Sequence, residues 1–165
     1  MSIKTIVLTY GSGGHQEQMR RLANLLAGKA KENIQFVAIT DAGNSLSIQS
    51  EVVEYIRCRE IRDKQSSFKT LCYLIPTLLM QAWRTLKVYQ RYNVVGVIST
   101  GPGVSLLPTF ILHCLGVKTV GLESWSRFSE PSISGRLFYK FVSLFYVQNI
   151  TMKKYYKSAI YKGRL

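Results

Sequence analysis

The sequence predicts an α/β domain in which helices cover both faces of a parallel sheet. Short apolar runs rich in β-branched residues alternate with longer segments of helical period. Glycine-rich turns directly follow two of these apolar runs. The chain has 165 residues, 47% of them hydrophobic, which suffices for one core. Because no repeat or linker interrupts the pattern, we expect a single domain over residues 1–165.

Six segments are typical of strands, and most are too apolar to leave one face in water. Helical segments separate several of them, so parallel pairing with right-handed crossovers is expected. In chain order the predicted strands are 3–9 (IKTIVLT), 34–40 (IQFVAIT), 52–57 (VVEYIR), 94–99 (VVGVIS), 118–123 (KTVGLE) and 144–148 (LFYVQ).

Four segments have helical period. The first follows a glycine turn and places apolar residues on one face until a stop signal at Gly28. The second covers 68–91, where Pro76 should kink or restart the helix. The third is the apolar run 104–115, and the fourth lies near 133–142. Strand and helix thus alternate, as the fold class requires.

The charge of the chain is concentrated in its later part. Residues 1–63 carry eight Lys/Arg and seven Asp/Glu, whereas residues 64–165 carry fourteen and two, within a formal net charge of +13. Such a surface indicates an anionic partner, either nucleic acid, an acidic membrane, a phosphorylated substrate or an acidic protein. Since no recognisable nucleic-acid motif is present, we do not expect nucleic acid to be that partner.

The cysteines indicate neither a metal site nor a disulfide framework. They are Cys58, Cys72 and Cys114, an odd number without a C-x-x-C pair. Reduced thiols are typical of the cytosol, and the first residues lead into a strand pattern rather than a signal peptide. We therefore expect a cytoplasmic chain that needs no cofactor and no metal.

The turn YGSGGH at 10–15 is the first candidate site. Glycines at 11, 13 and 14 allow positive φ angles and close approach to a ligand, and the following helix points its free N–H groups at the same place. A plain tight turn explains the glycines equally well. His15 at the helix start should be neutral, as a general base requires, although a structural hydrogen bond is the alternative.

Two later turns should reach the same edge of the sheet, since ligands bind beyond the carboxyl ends of parallel strands. STGPG at 99–103 offers the hydroxyl of Thr100 and the amides of two glycines. In ESWSR at 123–127, Glu123 is a candidate to bind sugar hydroxyls or to orient His15, and Arg127 is a candidate phosphate ligand. An internal ion pair between Glu123 and Arg127 is the alternative.

The segment 68–91 is either a crossover helix in the core or a helix at a membrane surface. Its mostly apolar stretch from Leu71 to Met80 is about half of the ~20 residues that a bilayer span needs. Aromatic and basic side chains in its second half suit an anionic interface. The residues expected to face the membrane are Trp83, Arg84 and Lys87.

Four motifs follow one another along the chain: GSGGH (11–15), STGPGVSLLP (99–108), LESWSR (122–127) and GRLFYKFVSLFYVQ (135–148). In this order they resemble the acceptor-side half of split MurG-like glycosyltransferases. These include PssD-like exopolysaccharide subunits of bacteria and the membrane-anchored subunit of the eukaryotic enzyme that adds the second GlcNAc to dolichol diphosphate. The resemblance extends from Ile3 to the terminal KGRL.

The resemblance implies a Rossmann-like domain equivalent to the N-terminal half of a GT-B glycosyltransferase. The other half, which grips the nucleotide-sugar donor, would be a separate chain. By analogy with these glycosyltransferases, His15 is the candidate base, and Glu123 and Ser124 are expected near the cleft. The expected acceptor and phosphate ligands are Gly11, Ser12, Gly13, Gly14, Thr100, Gly101, Pro102, Gly103, Ser124 and Arg127.

The resemblance also implies a biological setting. The product would be a capsular polysaccharide or exopolysaccharide, and the acceptor an undecaprenyl-diphosphate-linked sugar. The eukaryotic subunit has an N-terminal membrane anchor, whereas this sequence begins at the first strand. We therefore expect salt-sensitive, peripheral attachment to the inner face of the cell membrane.

Two other functions fit parts of the sequence. A non-catalytic scaffold that recruits the donor subunit to the membrane would use the same basic, amphipathic surface. A free-standing nucleotide-dependent reductase would need a complete dinucleotide fingerprint, and Gln16 stands where its third glycine should be. A His15 variant separates the catalytic subunit from the scaffold, because only the former predicts lost chemistry with intact assembly.

Overall fold

The described parts of the chain form one seven-stranded, wholly parallel sheet. The computed structural model describes residues 3–29, 34–43, 45–48, 52–58 and 67–165. The strand order is β3-β2-β1-β4-β5-β6-β7. The strands are β1 (Lys4–Tyr10), β2 (Ile34–Thr40), β3 (Val52–Arg57), β4 (Asn93–Ser99), β5 (Lys118–Leu122), β6 (Leu144–Val147) and β7 (Ile160–Tyr161). The helices are α1 (Gly14–Lys29), α2 (Ser67–Arg91), α3 (Gly103–Cys114) and α4 (Ile133–Phe141), with a short 3-10 helix at Ile150–Lys154.

Helices cover both faces of the sheet, as the sequence predicts. Alternate residues of β1 point to opposite faces. Leu8 packs in a cluster with Met19 and Ala23 of α1. Val7 packs instead in a cluster with residues of α2 and α3. The strands therefore separate two apolar layers, which explains why their sequences are apolar at nearly every position.

The second helix differs from its prediction at Pro76. A restart was one expectation, but α2 continues through Pro76 without interruption. Proline removes one backbone donor and crowds the preceding turn. Pro76 lies on the exposed side of α2, where water can satisfy a carbonyl that loses its helical partner.

The end of the chain contains elements that the sequence analysis did not predict. β7 has only two residues, which is too few to show a periodicity. Beyond it, Leu165 turns back toward the α1 face of the sheet. Its backbone N–H donates to Oε1 of Gln148 at 3.2 Å, and its backbone oxygen accepts from Nη1 of Arg21 at 3.3 Å.

Parallel strands bring the predicted turns to one edge of the sheet. Thr9 of β1 lies opposite Ser99 of β4, and Ser99 lies opposite Gly121 of β5. The turns that follow β1, β4 and β5 therefore meet at the carboxyl edge. This is the usual position of ligand sites in open α/β sheets.

Candidate functional site

Two glycine turns touch each other at the carboxyl edge. A Cβ atom on Gly11 would lie 3.0 Å from Cβ of Pro102 and 3.4 Å from Oδ1 of Asp41. Gly101 has φ +89°, and a Cβ atom there would lie 2.9 Å from the backbone oxygen of Leu122. Gly13 also has a positive φ, of +67°. At Gly13 and Gly101 the positive φ disfavours a side chain, and at Gly11 the close contact with Pro102 does so.

His15 is held by the second turn. Its Nδ1 lies 2.6 Å from the backbone oxygen of Thr100, and Oγ1 of Thr100 donates to the backbone oxygen of His15 at 3.1 Å. A carbonyl oxygen only accepts, so Nδ1 carries the proton of this hydrogen bond. In the neutral ring Nε2 is then the basic atom, and no described residue bonds to it.

Burial keeps the ring neutral. It lowers the pKa of His15 below its ordinary value, because desolvation disfavours the imidazolium. The hydrogen bond to Thr100 and the charges of Asp41 and Glu123 oppose this effect in part, and Arg127 adds to it. Burial is thus a cause of the neutral form beyond the helix N-terminus, from which the sequence predicted it.

Asp41 belongs to the site, although the sequence analysis did not select it. It follows β2 directly, and its Oδ1 accepts the backbone N–H of Ser12 at 2.8 Å. Because this N–H is bonded to a carboxylate, Ser12 can contact a ligand through its hydroxyl but not through its backbone N–H. The position of Asp41 immediately after a strand that neighbours β1 was the available signal.

Glu123 is a buried structural group rather than an open ligand. Only 2% of the residue is exposed. Its carboxylate accepts from Oγ of Ser132 at 2.7 Å, the hydroxyl of Tyr156 at 2.6 Å, and the backbone N–H groups of Ser124 and Ser132 at 3.0 and 3.2 Å. Burial is the largest cause of the raised pKa of Tyr156, followed by its hydrogen bond to this carboxylate.

These contacts correct the roles expected of Glu123. Its oxygens are occupied, so it does not present them to sugar hydroxyls, and the group that orients His15 is the carbonyl of Thr100. Within the described part of the chain it forms no ion pair with Arg127 either. A Cβ atom on Gly135 would lie only 2.2 Å from its Oε2, so Gly135 makes room for the carboxylate at the start of α4.

The remaining part of the 123–128 turn borders the same cleft. Ser124 shares a hydrogen bond of 2.9 Å with Oγ of Ser126, and Arg127 is exposed. Trp125, which the sequence analysis did not select, places its Nε1 3.7 Å from the Cβ position of Gly14. The Arg21 guanidinium lies 5.1 Å from the centroid of the Trp125 ring, a cation–π contact that fixes the indole against α1.

The chain that carries this site matches a known protein family. The family model described as "Oligosaccharide biosynthesis protein Alg14 like" matches residues 5–165. The chain belongs to this Alg14-like family. The expectation of a glycosyltransferase subunit is confirmed at that level, since the curated relatives carry the name UDP-N-acetylglucosamine transferase subunit ALG14.

Three relatives show how far the likeness extends. The rat protein is 27% identical over 97% of this chain and 82% of its own length. The Schizosaccharomyces pombe protein is 28% identical with the same two coverages, 97% and 82%. The human protein is 26% identical over 98% of this chain and 82% of its own. Nearly the whole Alg14-like chain is thus aligned with each.

Solved structures support the fold of the Alg14-like chain. MurG from Acinetobacter baumannii has a TM-score of 0.64 at 9% identity and is matched over 99% of this chain and 44% of that one. The UDP-GlcNAc 2-epimerase from Neisseria meningitidis has a TM-score of 0.70 at 8% identity, over 97% and 46%. The chain therefore spans a little under half the length of these proteins. At such identities the likeness concerns the fold, and it confirms the Rossmann-like, GT-B type of sheet.

The Alg14-like chain carries a row of exposed apolar side chains on α2. Ile75 is 67% exposed, Leu79 66% and Trp83 55%, and their spacing of four residues places them along one side of the helix. Met80 and Leu86 are exposed beside them. We call these five residues the α2 stripe. In the described parts of the chain, no helix is long and apolar enough to cross a membrane.

The α2 stripe extends beside the candidate site. Nε2 of Gln81 donates to the backbone oxygen of Val104 in the first turn of α3 at 2.6 Å, so Gln81 lies at the level of the carboxyl edge. Because α2 precedes β4, its N-terminal part points away from the sheet at that edge. At 1.5 Å per residue, Ile75 lies about 9 Å beyond Gln81 along the helix.

The three residues expected to face a membrane lie together near the other end of α2. Lys87 places its Nζ 3.8 Å from the centroid of the Trp83 ring. Nη1 of Arg84 donates to the backbone oxygen of Arg57 in β3. Trp83 thus belongs to the α2 stripe, whereas Arg84 and Lys87 lie on its β3 side.

Proposed function

We propose that this chain is the acceptor-binding subunit of a two-chain, inverting glycosyltransferase. Its substrate would be a polyprenyl-diphosphate-linked saccharide, and its donor a UDP-sugar held by a separate chain. The observation that carries the proposal is the position of His15, whose ring is neutral, fixed through Nδ1 and placed where two glycine turns meet. A fixed, neutral imidazole at a ligand-binding edge is suited to general-base catalysis.

The names of the relatives support a division of labour between two polypeptides. This chain aligns with 44% of MurG and 46% of the epimerase. The relatives are named as subunits of a transferase. A second chain with the donor site would complete the cleft along the carboxyl edge, opposite the glycine turns.

The relatives' names also bear on the sugar. They are subunits of UDP-N-acetylglucosamine transferases from animals and fungi, and we propose UDP-GlcNAc as the donor here. A capsular polysaccharide or exopolysaccharide as the product, with undecaprenyl diphosphate as the carrier, stays a prediction from the sequence motifs.

The chemical step assigns one task to each group. A hydroxyl oxygen of the acceptor sugar attacks the anomeric carbon of the donor while its proton passes to Nε2 of His15. The bond from the anomeric carbon to UDP breaks, and UDP leaves with the electron pair. A single displacement inverts the anomeric centre. The attacking hydroxyl must lie about 2.6–3.2 Å from Nε2 for this transfer.

The glycine turns would hold the acceptor diphosphate beside that hydroxyl. Backbone N–H groups at the start of α1 point at the cleft, and a helix N-terminus favours an anion. Arg127 is exposed at the rim and suits a phosphate oxygen. Asp41, which engages Ser12, makes the β2 side of the turn less favourable to an anion, so we assign the diphosphate to the side of Gly13 and Gly14.

The α2 stripe supports peripheral binding at the inner face of the cell membrane. Apolar side chains exposed along one side of a helix, with basic groups beside them, are suited to the interface of an anionic bilayer. The stripe reaches past the carboxyl edge, so a lipid-linked acceptor could remain in the membrane while its diphosphate enters the cleft.

The experiment is sugar transfer from radiolabelled UDP-GlcNAc to a polyprenyl-diphosphate-linked monosaccharide in vesicles. It compares this chain alone, a candidate donor-binding chain alone, and both together. Transfer that requires both supports the proposal. Full transfer by this chain alone would place the donor site here and contradict the division of labour. An unchanged rate with the His15→Ala variant in the assembled pair would instead favour the scaffold function.

A further inference from the structure

A basic groove lies away from the candidate site, between the edge strand β3 and the C-terminal half of α2. Its volume is about 790 Å³. β3 supplies one wall and α2 the other. The lining residues that matter for its chemistry are Glu54, Arg57, Trp83, Arg84, Lys87 and Arg91.

The charges of this groove are unbalanced. Four cationic side chains face one carboxylate, that of Glu54. Glu54 is already engaged, because its Oε2 accepts from the hydroxyl of Tyr92 at 2.7 Å and lies 3.3 Å from Nη1 of Arg91. Among the described residues, no carboxylate pairs with Arg57, Arg84 or Lys87. In the described part of the groove, three cations therefore remain for an external anion.

The groove adjoins the α2 stripe through a shared residue. Trp83 belongs to the stripe and also lines the groove, and Lys87 stacks on its ring. On a helix of 3.6 residues per turn, Lys87 lies about 40° from Trp83, on the side toward β3. The α2 stripe thus borders the basic groove along one side of the helix. A phospholipid presents the complementary arrangement, with acyl chains below its phosphate.

We infer that this groove binds the phosphate headgroup of an anionic phospholipid while the α2 stripe enters the adjacent acyl region. The inference rests on the proposed membrane binding and names a lipid contact for it. Charge complementarity favours this occupant, since Arg57, Arg84 and Lys87 have no carboxylate partner among the described residues and the apolar stripe lies directly beside them. A soluble anion or a nucleic acid would use the cations but leave the stripe in water.

The test compares two charge-matched double variants in binding to lipid vesicles. Arg57→Gln/Lys87→Gln removes two groove cations and keeps the hydrogen bond from Arg84 to the backbone of residue 57. Lys153→Gln/Lys157→Gln removes two exposed cations near β7, at the opposite edge of the sheet. The chain has two tryptophans, so a Trp125→Phe background makes Trp83 fluorescence the reporter.

Vesicles of phosphatidylcholine with 30 mol% phosphatidylglycerol provide the anionic surface. One basic residue near such a surface contributes about 1 kcal/mol, or roughly fivefold in affinity. The groove variant should therefore bind about 20- to 30-fold more weakly than the parent, and the matched variant less than about threefold more weakly. Equal losses in the two variants would overturn the headgroup site and leave only diffuse attraction.

Further measurements distinguish a lipid headgroup from other anions, and they test the groove separately from membrane binding by the α2 stripe. Dihexanoyl phosphatidylglycerol below its micelle concentration should shift Trp83 fluorescence, and inorganic phosphate at equal concentration should not. Equal competition by inorganic phosphate or by duplex DNA would identify a general anion site and overturn the lipid assignment. Ile75→Ser/Leu79→Ser tests the stripe alone. If that variant binds vesicles like the parent, the peripheral membrane binding under Proposed function fails, whatever the groove binds.

Discussion

The Nδ1 atom of His15 lies 2.6 Å from the backbone oxygen of Thr100, although 85 residues separate them in the chain. Thr100 returns a hydrogen bond to the backbone of His15 at 3.1 Å. The pair joins the turn after β1 to the turn after β4 and directs Nε2 of the imidazole away from Thr100. A backbone carbonyl here fills the place that a carboxylate often takes beside a catalytic histidine.

His15→Ala should lower the turnover of the assembled enzyme by about 10²- to 10⁴-fold, the range for loss of a general base. His113→Ala is the matched control, since His113 lies in the last turn of α3, at the opposite end of that helix from the glycine turn, where its Nδ1 contacts Oγ1 of Thr119 at 3.4 Å. Initial rates at saturating donor and acceptor measure the effect. Equal rates for the two variants would remove His15 from the mechanism.

The pH dependence of turnover should reflect the lowered pKa of His15. Only the neutral ring accepts a proton, so the rate should fall as the pH drops through this pKa, which burial places below 6.5. The plateau should therefore extend below pH 6.5. Between the folded and unfolded pKa values the unfolded chain binds more protons, so the His15 contribution to stability also decreases as the pH falls. A midpoint above 6.5 in the rate profile would contradict the assignment.

Gly101→Ala and Gly103→Ala should have opposite effects on stability. At Gly101 the side chain meets a positive φ of +89° and the backbone oxygen of Leu122 at 2.9 Å, so we expect a loss of about 1–3 kcal/mol. At Gly103 a Cβ atom would meet no atom within 4 Å beyond its own chain neighbours and helix backbone, and φ is not in the left-handed region, so alanine should be neutral or stabilise by up to about 1 kcal/mol. Urea denaturation of both variants measures the difference. Similar losses would mean that the turn does not require glycine at 101.

Glu123→Gln should destabilise the domain by about 2–4 kcal/mol. The new amide would place a donor among groups that already donate, including the hydroxyls of Ser132 and Tyr156, and would remove a charge that strengthens those bonds. Glu130→Gln, on an exposed residue, is the control and should change stability by less than about 0.5 kcal/mol. Thermal and urea unfolding give both values. A fully stable but inactive Glu123→Gln would show that its role is chemical after all.

Arg127→Gln should raise the KM for the lipid-linked acceptor about 10-fold and leave kcat within about twofold. A charge-assisted hydrogen bond to phosphate contributes about 1.5–3 kcal/mol, and solvent reduces this at an exposed site. Lys153→Gln makes the same change of charge at the far edge of the sheet. Steady-state kinetics with varied acceptor separate the two. A fall in kcat with unchanged KM would move Arg127 from binding to the chemical step.

Much of the fold followed from local patterns. The predicted strands at 34–40 and 52–57 have the same bounds as in the structure. Each of the other four differs by one residue, at one end or at both ends. These segments were predictable because burial on both faces requires apolar residues throughout a strand. β7 was not predictable, since its two residues are strand only through pairing with β6.

The amino-acid sequence was enough to establish the type of sheet, the edge at which its turns gather, and His15 and Thr100 as members of one candidate site. Those properties depend on periodicity and on the parallel order of strands, which are local or nearly local. The contacts of each group depend on the packing of the folded chain. That packing places the Glu123 carboxylate at the N-terminus of α4, brings Asp41 to the glycine turn, and orients His15 through the Thr100 carbonyl. Hydrogen-bond partners distant in sequence depend on how separate turns pack, and no periodicity in the sequence records that packing.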